Sequence, residues 1–121
     1  MQAGKAWGST ATVYNGAVDV EHLDIEADGY CSIHMHKHKS NLFYVIKGLL
    51  EIRVEKSDQG LIDTTMLREG QTMVVAPGQY HQFIARTDVI ALEVYFTELS
   101  EDILRKSSGG SDANGKKSAI L

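Results

Sequence analysis

The residues best suited to chemistry in this chain are three histidines at alternate positions in the segment Ile-His-Met-His-Lys-His, residues 33–38. Successive side chains of a β-strand point to opposite faces, so a strand here would aim His34 and His36 at one point and place His38 at its end. Imidazole is a good ligand for zinc, iron, nickel, cobalt and copper. The same pattern also describes an amphipathic strand with its histidines in solvent, and the segment alone does not separate the two.

A more distant histidine, His81, follows a turn that contains the only proline of the chain. Pro77 and Gly78 together can fix a sharp turn, and so the direction in which His81 points. Alone, His81 would be a polar group at the start of a strand. Added to His34 and His36, it supplies the third ligand that a mononuclear metal site needs. We therefore predict one divalent metal ion (Zn, Fe, Mn, Ni or Co) bound by these three side chains.

Short apolar runs separated by glycine turns must position these histidines. The runs are rich in Val, Ile, Thr, Tyr and Phe, which favour strands, and many short strands at close spacing are typical of a sandwich or closed barrel. The predicted strands are Thr10–Tyr14, Val18–Ile25, Tyr30–His36, Leu42–Ile46, Leu49–Glu55, Leu61–Leu67, Thr72–Ala76, His81–Ala85 and Val89–Phe96.

The C-terminal part of the chain predicts a helix and a tail. Ser100–Lys106 has a serine at the N-cap position, acidic residues in the first turn and basic residues in the last. Residues 107–121 are small, polar and glycine-rich, which predicts a disordered tail. With 121 residues, of which 43% are hydrophobic, the chain fits one domain, which we place at residues 1–106.

Composition and charge exclude several classes of partner. The net charge is −4 and no basic block is present, so we expect no nucleic-acid binding. No window approaches the roughly 20 apolar residues of a membrane helix, and the first ten residues contain no secretory signal. A single cysteine allows no disulfide within the chain. We expect a cytoplasmic location.

Two stretches of the chain resemble the two motifs of the cupin superfamily. In residues 29–48, His34 and His36 fill the histidine pair and Gly48 the closing glycine, while residues 70–81 contain the glycine, the Pro-Gly turn and His81 of the second motif. The resemblance implies an all-β, single-domain double-stranded β-helix, or jelly-roll barrel, here with the predicted short C-terminal helix. It also implies a metal site. Asn41 stands where the family has a glutamate ligand, and a neutral amide is a weaker and doubtful ligand.

Residues 5–106 resemble in particular the cupin domain of type II mannose-6-phosphate isomerases. The resemblance rests on four segments: Lys5-Ala-Trp-Gly8, residues 32–41, Leu92-Glu-Val94 and residues 100–105. It implies a metal-dependent isomerase whose small-molecule ligand is a carbohydrate, such as a sugar phosphate. The chain departs from that family at Asn41, at Lys39 in place of an arginine, and at Leu42 in place of a histidine. These departures leave the fold and the metal better supported than the isomerase activity.

An isomerase also needs a base and groups that bind the substrate. The candidate bases are His38, Glu51 and Glu93, and the candidate substrate-binding residues are Lys37, Lys39 and Tyr44. Residues of these types are more often ordinary surface or core residues. Two alternatives remain open, namely a three-histidine iron dioxygenase of small molecules and a non-catalytic small-molecule-binding cupin.

An apolar row alternates with the histidines and needs a cover. Cys31, Ile33 and Met35 would point away from the metal, so we expect a homodimer or a packed N-terminal strand to bury them. Cys31 is expected to be buried and unreactive. Trp7 is expected to anchor the core or an interface.

Overall fold

A computed structural model of the chain describes residues 2–56, 60–97 and 103–111, and the strands within these ranges are all paired antiparallel. The strands are β1 (Gln2–Lys5), β2 (Gly8–Asn15), β3 (Asp19–Ile25), β4 (Ser40–Lys47), β5 (Leu50–Glu55), β6 (Ile62–Leu67), β7 (Thr72–Val75), β8 (His81–Ala85) and β9 (Val89–Phe96). The predicted all-β fold is confirmed.

The strands form two sheets. The larger has the order β1-β2-β3-β9-β4-β7, and the smaller has the order β6-β5-β8. Strand β9 lies between β3 and β4, so the first and last parts of the described barrel pair side by side in the larger sheet. Strand β1, which the sequence pattern did not predict, adds an edge to this sheet by pairing with β2.

The inward side chains of the two sheets are apolar at one end of the barrel and polar at the other. Along β8, Phe83 and Ala85 belong to the hydrophobic core, while His81 lies on the same face two residues earlier. The same change occurs along the other inward rows: from Leu23 to Glu21 in β3, from Ala91 to Glu93 in β9, and from Phe43 to Asn41 in β4. Because the four rows change at one end, the fold gathers polar groups that are far apart in sequence.

The segment 30–36 runs beside β8 without forming the predicted continuous strand. Two isolated bridges, Tyr30 to Ile84 and His34 to His81, join it to that strand, and the N–H of Cys31 donates to the carbonyl of Phe83 at 3.2 Å. The bridge register shifts by one residue between them, since four residues on one side of the pairing face three on the other. An irregularity of this kind re-aims side chains relative to a regular ladder. Cys31 therefore faces the core at 7% exposure, while Ile33 is 68% exposed.

The predicted helix is not found in the part of Ser100–Lys106 that the structure describes. Residues 103–106 are not helical, and residues 100–102 lie outside the described ranges, as do residues 112–121 of the predicted tail. Helix nucleation has an unfavourable free energy, and so short a segment does not recover it unless the helix packs against the rest of the protein. Within the described ranges no helix is long and apolar enough to cross a bilayer.

Two further expectations concern single side chains. Cys31 is buried and free, its Sγ accepts the backbone N–H of Phe83 at 3.2 Å, and burial raises the pKa of its thiol to about 11. Trp7 packs edge-on against Phe83, with ring centroids 5.1 Å apart. The predicted burial of Cys31 is confirmed, and Trp7 packs against the core as expected.

Candidate metal centre

Three imidazole rings converge at the polar end of the barrel. Each of His34, His36 and His81 offers a ring nitrogen, and these nitrogens all lie within 4.8 Å of one another. Metal–imidazole bonds are about 2.0–2.1 Å long, so the ligand nitrogens of one ion lie roughly 3–3.5 Å apart. Inward movements of about 1 Å would bring the three rings onto one ion.

Main-chain hydrogen bonds fix the positions of all three residues. His34 and His81 exchange two bonds, from the N–H of His34 to the carbonyl of His81 at 3.1 Å and in reverse at 2.9 Å. The N–H of Gly78 donates to the carbonyl of His36 at 2.8 Å. Gly78 has φ +81°, a conformation that suits glycine. The Pro77-Gly78 turn therefore ties His36 to the strand that begins at His81.

The hydrogen bonds to backbone carbonyls leave Nε2 of two rings unprotonated, and Nε2 of the third ring has no partner. Nδ1 of His34 is 2.8 Å from the carbonyl of Ser32, and Nδ1 of His81 is 3.0 Å from the carbonyl of Gln79. A carbonyl only accepts, so each Nδ1 carries the proton and each Nε2 is unprotonated. Nε2 of His36 is buried and has no hydrogen-bond partner. Carbonyl acceptors behind ligand histidines are the usual support of a metal site, so these residues fit a metal ion.

The surroundings keep two of the rings neutral. Burial lowers the pKa of His36, and electrostatic repulsion from His34 and Lys39 lowers it further. Burial also lowers the pKa of His81, and this effect outweighs the hydrogen bond to the Gln79 carbonyl, which acts in the opposite direction. Since only neutral imidazole binds a metal ion, both shifts favour metal binding near neutral pH.

Asn41, Glu93 and Tyr95 form a polar network beside the rings. Nδ2 of Asn41 donates to Oε2 of Glu93 at 3.2 Å and lies 3.3 Å from Nε2 of His81, and its Oδ1 is buried without a partner. Tyr95 donates to the Glu93 carboxyl and packs against the His36 ring at a centroid distance of 4.8 Å. Burial raises the pKa of Glu93 although hydrogen bonds from Tyr95 and Asn41 oppose the shift.

A cavity of about 490 Å³ opens next to this network. Its lining includes His34, Glu93 and Tyr95, together with Glu21 and Trp7. A volume of this size accommodates a small organic molecule. The lining therefore combines a histidine of the cluster with a buried carboxyl group and a phenol.

The structure brings together some of the residues predicted from the sequence. His34, His36, His81, Asn41 and Glu93 all lie at the polar end of the barrel. The sequence predicted that the three histidine rings lie close together, and the structure shows this arrangement. Asn41 turns its amide nitrogen, which cannot bind a metal, towards the cluster.

Other predicted residues lie away from the histidines. Glu51 alternates with the core residues of β5 and so faces the outer side of the smaller sheet, where Arg86 binds its Oε1 at 2.8 Å and Arg53 binds its Oε2. Burial would raise the pKa of Glu51, but the two arginines outweigh it and the pKa is lowered. Glu51 therefore forms structural ion pairs with both arginines. Tyr44 likewise alternates with the buried Phe43 and points out of the larger sheet.

The remaining candidates are exposed. Lys37 and Lys39 lie outside the lining of the large cavity. His38 lines a separate depression of about 400 Å³ with Pro77 and Val74.

The sequence analysis missed Glu21 as a cavity residue. Glu21 lies directly opposite Glu93 in the β3–β9 register, and its Oε1 accepts a hydrogen bond from Thr12 at 3.0 Å. The sequence contained a signal for this position. Every second residue of the strand lies on one face, and this face changes from acidic to apolar along Asp19, Glu21, Leu23 and Ile25.

A two-sheet antiparallel barrel with a histidine cluster at its polar end defines the class of this protein. Residues 11–109 match the sequence model of the cupin family. The chain belongs to that family, as the two sequence motifs predicted. No curated protein is significantly similar to it in sequence.

Solved structures of low sequence identity share the fold. KdgF from Halomonas sp. matches with a TM-score of 0.64 at 16% identity, over 75% of this chain and 79% of that one. The cupin domain of Cnp3 from Schizosaccharomyces pombe matches with a TM-score of 0.64 at 15% identity, over 74% and 64%. A variant of oxalate decarboxylase from Bacillus subtilis matches with a TM-score of 0.70 at 15% identity, over 80% of this chain and 27% of that one.

Proposed function

We propose that the protein binds one divalent metal ion (Zn, Fe, Mn, Ni or Co) through His34, His36 and His81 and acts as a metal-dependent isomerase on a small hydroxycarbonyl compound. The observation that carries the proposal is the convergence of three ring nitrogens beside a cavity that also contains a buried carboxyl group. When bound, the ion would polarise oxygen atoms of the substrate.

Glu93 is the group best placed to move a proton. It is 7% exposed and lines the cavity together with His34. Burial raises its pKa, and a raised pKa makes a carboxylate a stronger base for proton transfer. Tyr95 and Asn41 fix the carboxyl group by hydrogen bonds, so we prefer Glu93 among the three candidate bases.

The cavity also offers a contact for an anionic group of the substrate. Lys5 belongs to its lining, near Trp7 and Ser32. We propose Lys5, ahead of Lys37 and Lys39, as the partner of a phosphate group such as that of mannose 6-phosphate. This assignment extends the sequence resemblance to type II mannose-6-phosphate isomerases, and it also depends on the position of Lys5 at the cavity wall.

A second candidate function is oxygen-dependent chemistry. Asn41 presents its amide nitrogen to the cluster, so the protein supplies three neutral imidazoles and no carboxylate. An iron site of that kind suits dioxygenase chemistry better than isomerase chemistry. A small-molecule binder without turnover is the third candidate.

The metal site is tested with His36→Ala and its matched control His38→Ala. His36 contributes an unpartnered buried nitrogen, whereas His38 is exposed and outside the cluster. We expect His36→Ala to lose more metal affinity than the roughly 10–100-fold that removal of an outer-sphere hydrogen bond costs, and His38→Ala to keep one ion per chain. Elemental analysis and calorimetric titration with Zn²⁺ measure both. Equal metal content in the two variants would contradict the proposed ligand set.

The reaction is tested by comparing turnover of mannose 6-phosphate with oxygen uptake in the presence of small thiols. We expect isomerisation by the metal-loaded protein, and its loss in Glu93→Gln with the metal retained. Oxygen uptake without isomerisation would establish the dioxygenase alternative instead. Neither activity, with metal bound, would favour a non-catalytic binder.

A further inference from the structure

Asn41 is an amide at a position where its polar atoms are almost completely removed from water. The residue is 1% exposed, yet its Oδ1 makes no hydrogen bond. A buried polar group without a partner costs free energy unless another group compensates for it. The partners of the NH₂ group, and none of the oxygen, therefore hold the amide in place.

The orientation of the amide is determined by its two neighbours. Glu93 offers an acceptor at 3.2 Å, and Nε2 of His81 offers a second acceptor at 3.3 Å because Nδ1 of that ring is bonded to the Gln79 carbonyl. Only the NH₂ group of Asn41 can satisfy both acceptors. The opposite orientation would aim Oδ1 at a carboxylate oxygen and at an unprotonated ring nitrogen. One N–H is thus held by Glu93, and the other points at the nitrogen that faces the cluster.

We propose that Asn41 is a ligand-positioning residue whose second amide N–H donates to a negatively charged oxygen of a ligand bound at the metal centre. The inference rests on the proposed metal site, because a metal ion would occupy the lone pair of His81 Nε2 and so release this N–H. Glu93 acts through Asn41 by keeping the amide in this orientation. The chemical class of ligand is a small carboxylate, hydroxycarboxylate or other compound with an anionic oxygen.

The charge of the site supports the same class of ligand. Three neutral imidazoles cancel none of the charge of a divalent ion, whereas a carboxylate at position 41 would cancel one of its two charges and add to the acidic groups Glu21 and Glu93 that already line the cavity. A hydrogen bond to a charged group contributes more than one between neutral groups. Asn41 therefore favours an anionic ligand in two ways. As a neutral residue it does not reduce the positive charge of the metal ion, and its N–H donates a hydrogen bond to the ligand.

The test compares the parent protein with Asn41→Asp and Asn41→Ala by calorimetry, first with Zn²⁺ alone and then with glycolate added to the zinc-loaded proteins. We expect Asn41→Asp to bind Zn²⁺ at least as tightly as the parent and glycolate at least about tenfold more weakly. Asn41→Ala should keep its Zn²⁺ affinity within roughly threefold and also bind glycolate more weakly, since it loses only the donor. Opposite changes in the two affinities of Asn41→Asp are not produced by a loss of folding, and circular dichroism of each variant checks the fold.

Two contrary outcomes are distinguishable. Zinc binding by the parent, together with equal glycolate affinities in all three proteins or with no glycolate binding by any of them, overturns the role of Asn41 alone. A parent that binds no Zn²⁺ overturns the proposed metal site and this inference with it.

Discussion

At the scale of single residues, the histidine cluster depends on rings that remain neutral in the folded chain. His36 and His81 have lowered pKa values because burial disfavours their charged forms. Lys39 adds positive charge near His36, and burial also raises the pKa of Glu93. Folding therefore favours the unprotonated form of these rings, which is the form that a metal ion requires.

This arrangement predicts a pH dependence of stability for the metal-free protein. The unfolded chain takes up protons on His36 and His81 as the pH falls through about 6.5, whereas the folded chain resists until the pH reaches the lowered folded pKa values. The unfolded state then binds more protons, so the free energy of unfolding contributed by these residues decreases from about pH 7 downwards. Urea denaturation at about pH 7.5 and about pH 5.5, on either side of the ordinary histidine pKa, measures the change.

The control for this prediction is the double variant His36→Gln, His81→Gln. Glu93 acts in the opposite direction, because its raised pKa lets the folded chain bind a proton that the unfolded chain binds only at lower pH. We expect the double variant to lose less stability between the two pH values than the parent does. An equal loss in both proteins would show that other groups cause it.

At the scale of elements, alternation along strands places the site and turns hold it in register. Strands β3, β4, β8 and β9 each present apolar residues towards one end of the barrel and polar residues towards the other. Tight turns then fix the strands against one another. Gly48, which joins β4 to β5, is an example, since its φ is +95° and an added Cβ would lie 2.2 Å from the carbonyl oxygen of Asp88.

Substitution of two turn glycines separates steric crowding from backbone strain. Gly48 and Gly70 both have positive φ, but a Cβ at Gly70 meets nothing within 4 Å. We expect Gly70→Ala to lower the free energy of unfolding by about 1–2 kcal/mol through backbone strain alone. Gly48→Ala should cost roughly 1–3 kcal/mol more, because the Asp88 carbonyl must also move. Urea denaturation of the two variants measures the difference, and equal losses would show that the turn at Gly48 adapts without cost.

At the scale of the whole molecule, apolar side chains remain on the outer side of the segment that carries the histidines. Ile33 is 68% exposed and Tyr30 is 64% exposed, and the described N-terminal strands do not cover them. A groove of about 160 Å³ lies beside Ile33, between Ile62 and Tyr80. The predicted homodimer stays a prediction, and this surface is where we place its contact.

The dimer is tested by light scattering coupled to size-exclusion chromatography. We expect the parent to elute with twice the mass of one chain and Ile33→Lys to elute as a monomer, because a buried lysine charge disfavours an apolar contact. Val13 is 62% exposed on β2, outside this surface, so Val13→Lys is the matched control and should leave the mass unchanged. A parent that remains monomeric at high micromolar concentration would contradict the prediction.

The sequence by itself determined the all-β fold and the three histidines, because both are encoded locally. Alternation of apolar and polar residues has a period of two, and glycine turns divide the strands, so the patterns can be recognised without knowing which strands pair. The Pro77-Gly78 turn before His81 was recognisable for the same reason. The predicted strand Tyr30–His36 failed in part, since its register shift arises from pairing with β8 and leaves no local signal.

Only the tertiary structure decided which polar residues accompany the histidines. Glu51 and Glu93 are equivalent as sequence, but β5 turns Glu51 outwards to two arginines, while β9 turns Glu93 inwards beside Asn41. Glu21 joins the cavity because β3 pairs with β9 in a register that sets it opposite Glu93. The physical reason is that strand register and the choice of inner face depend on contacts between residues far apart in the chain, which single-strand patterns do not contain.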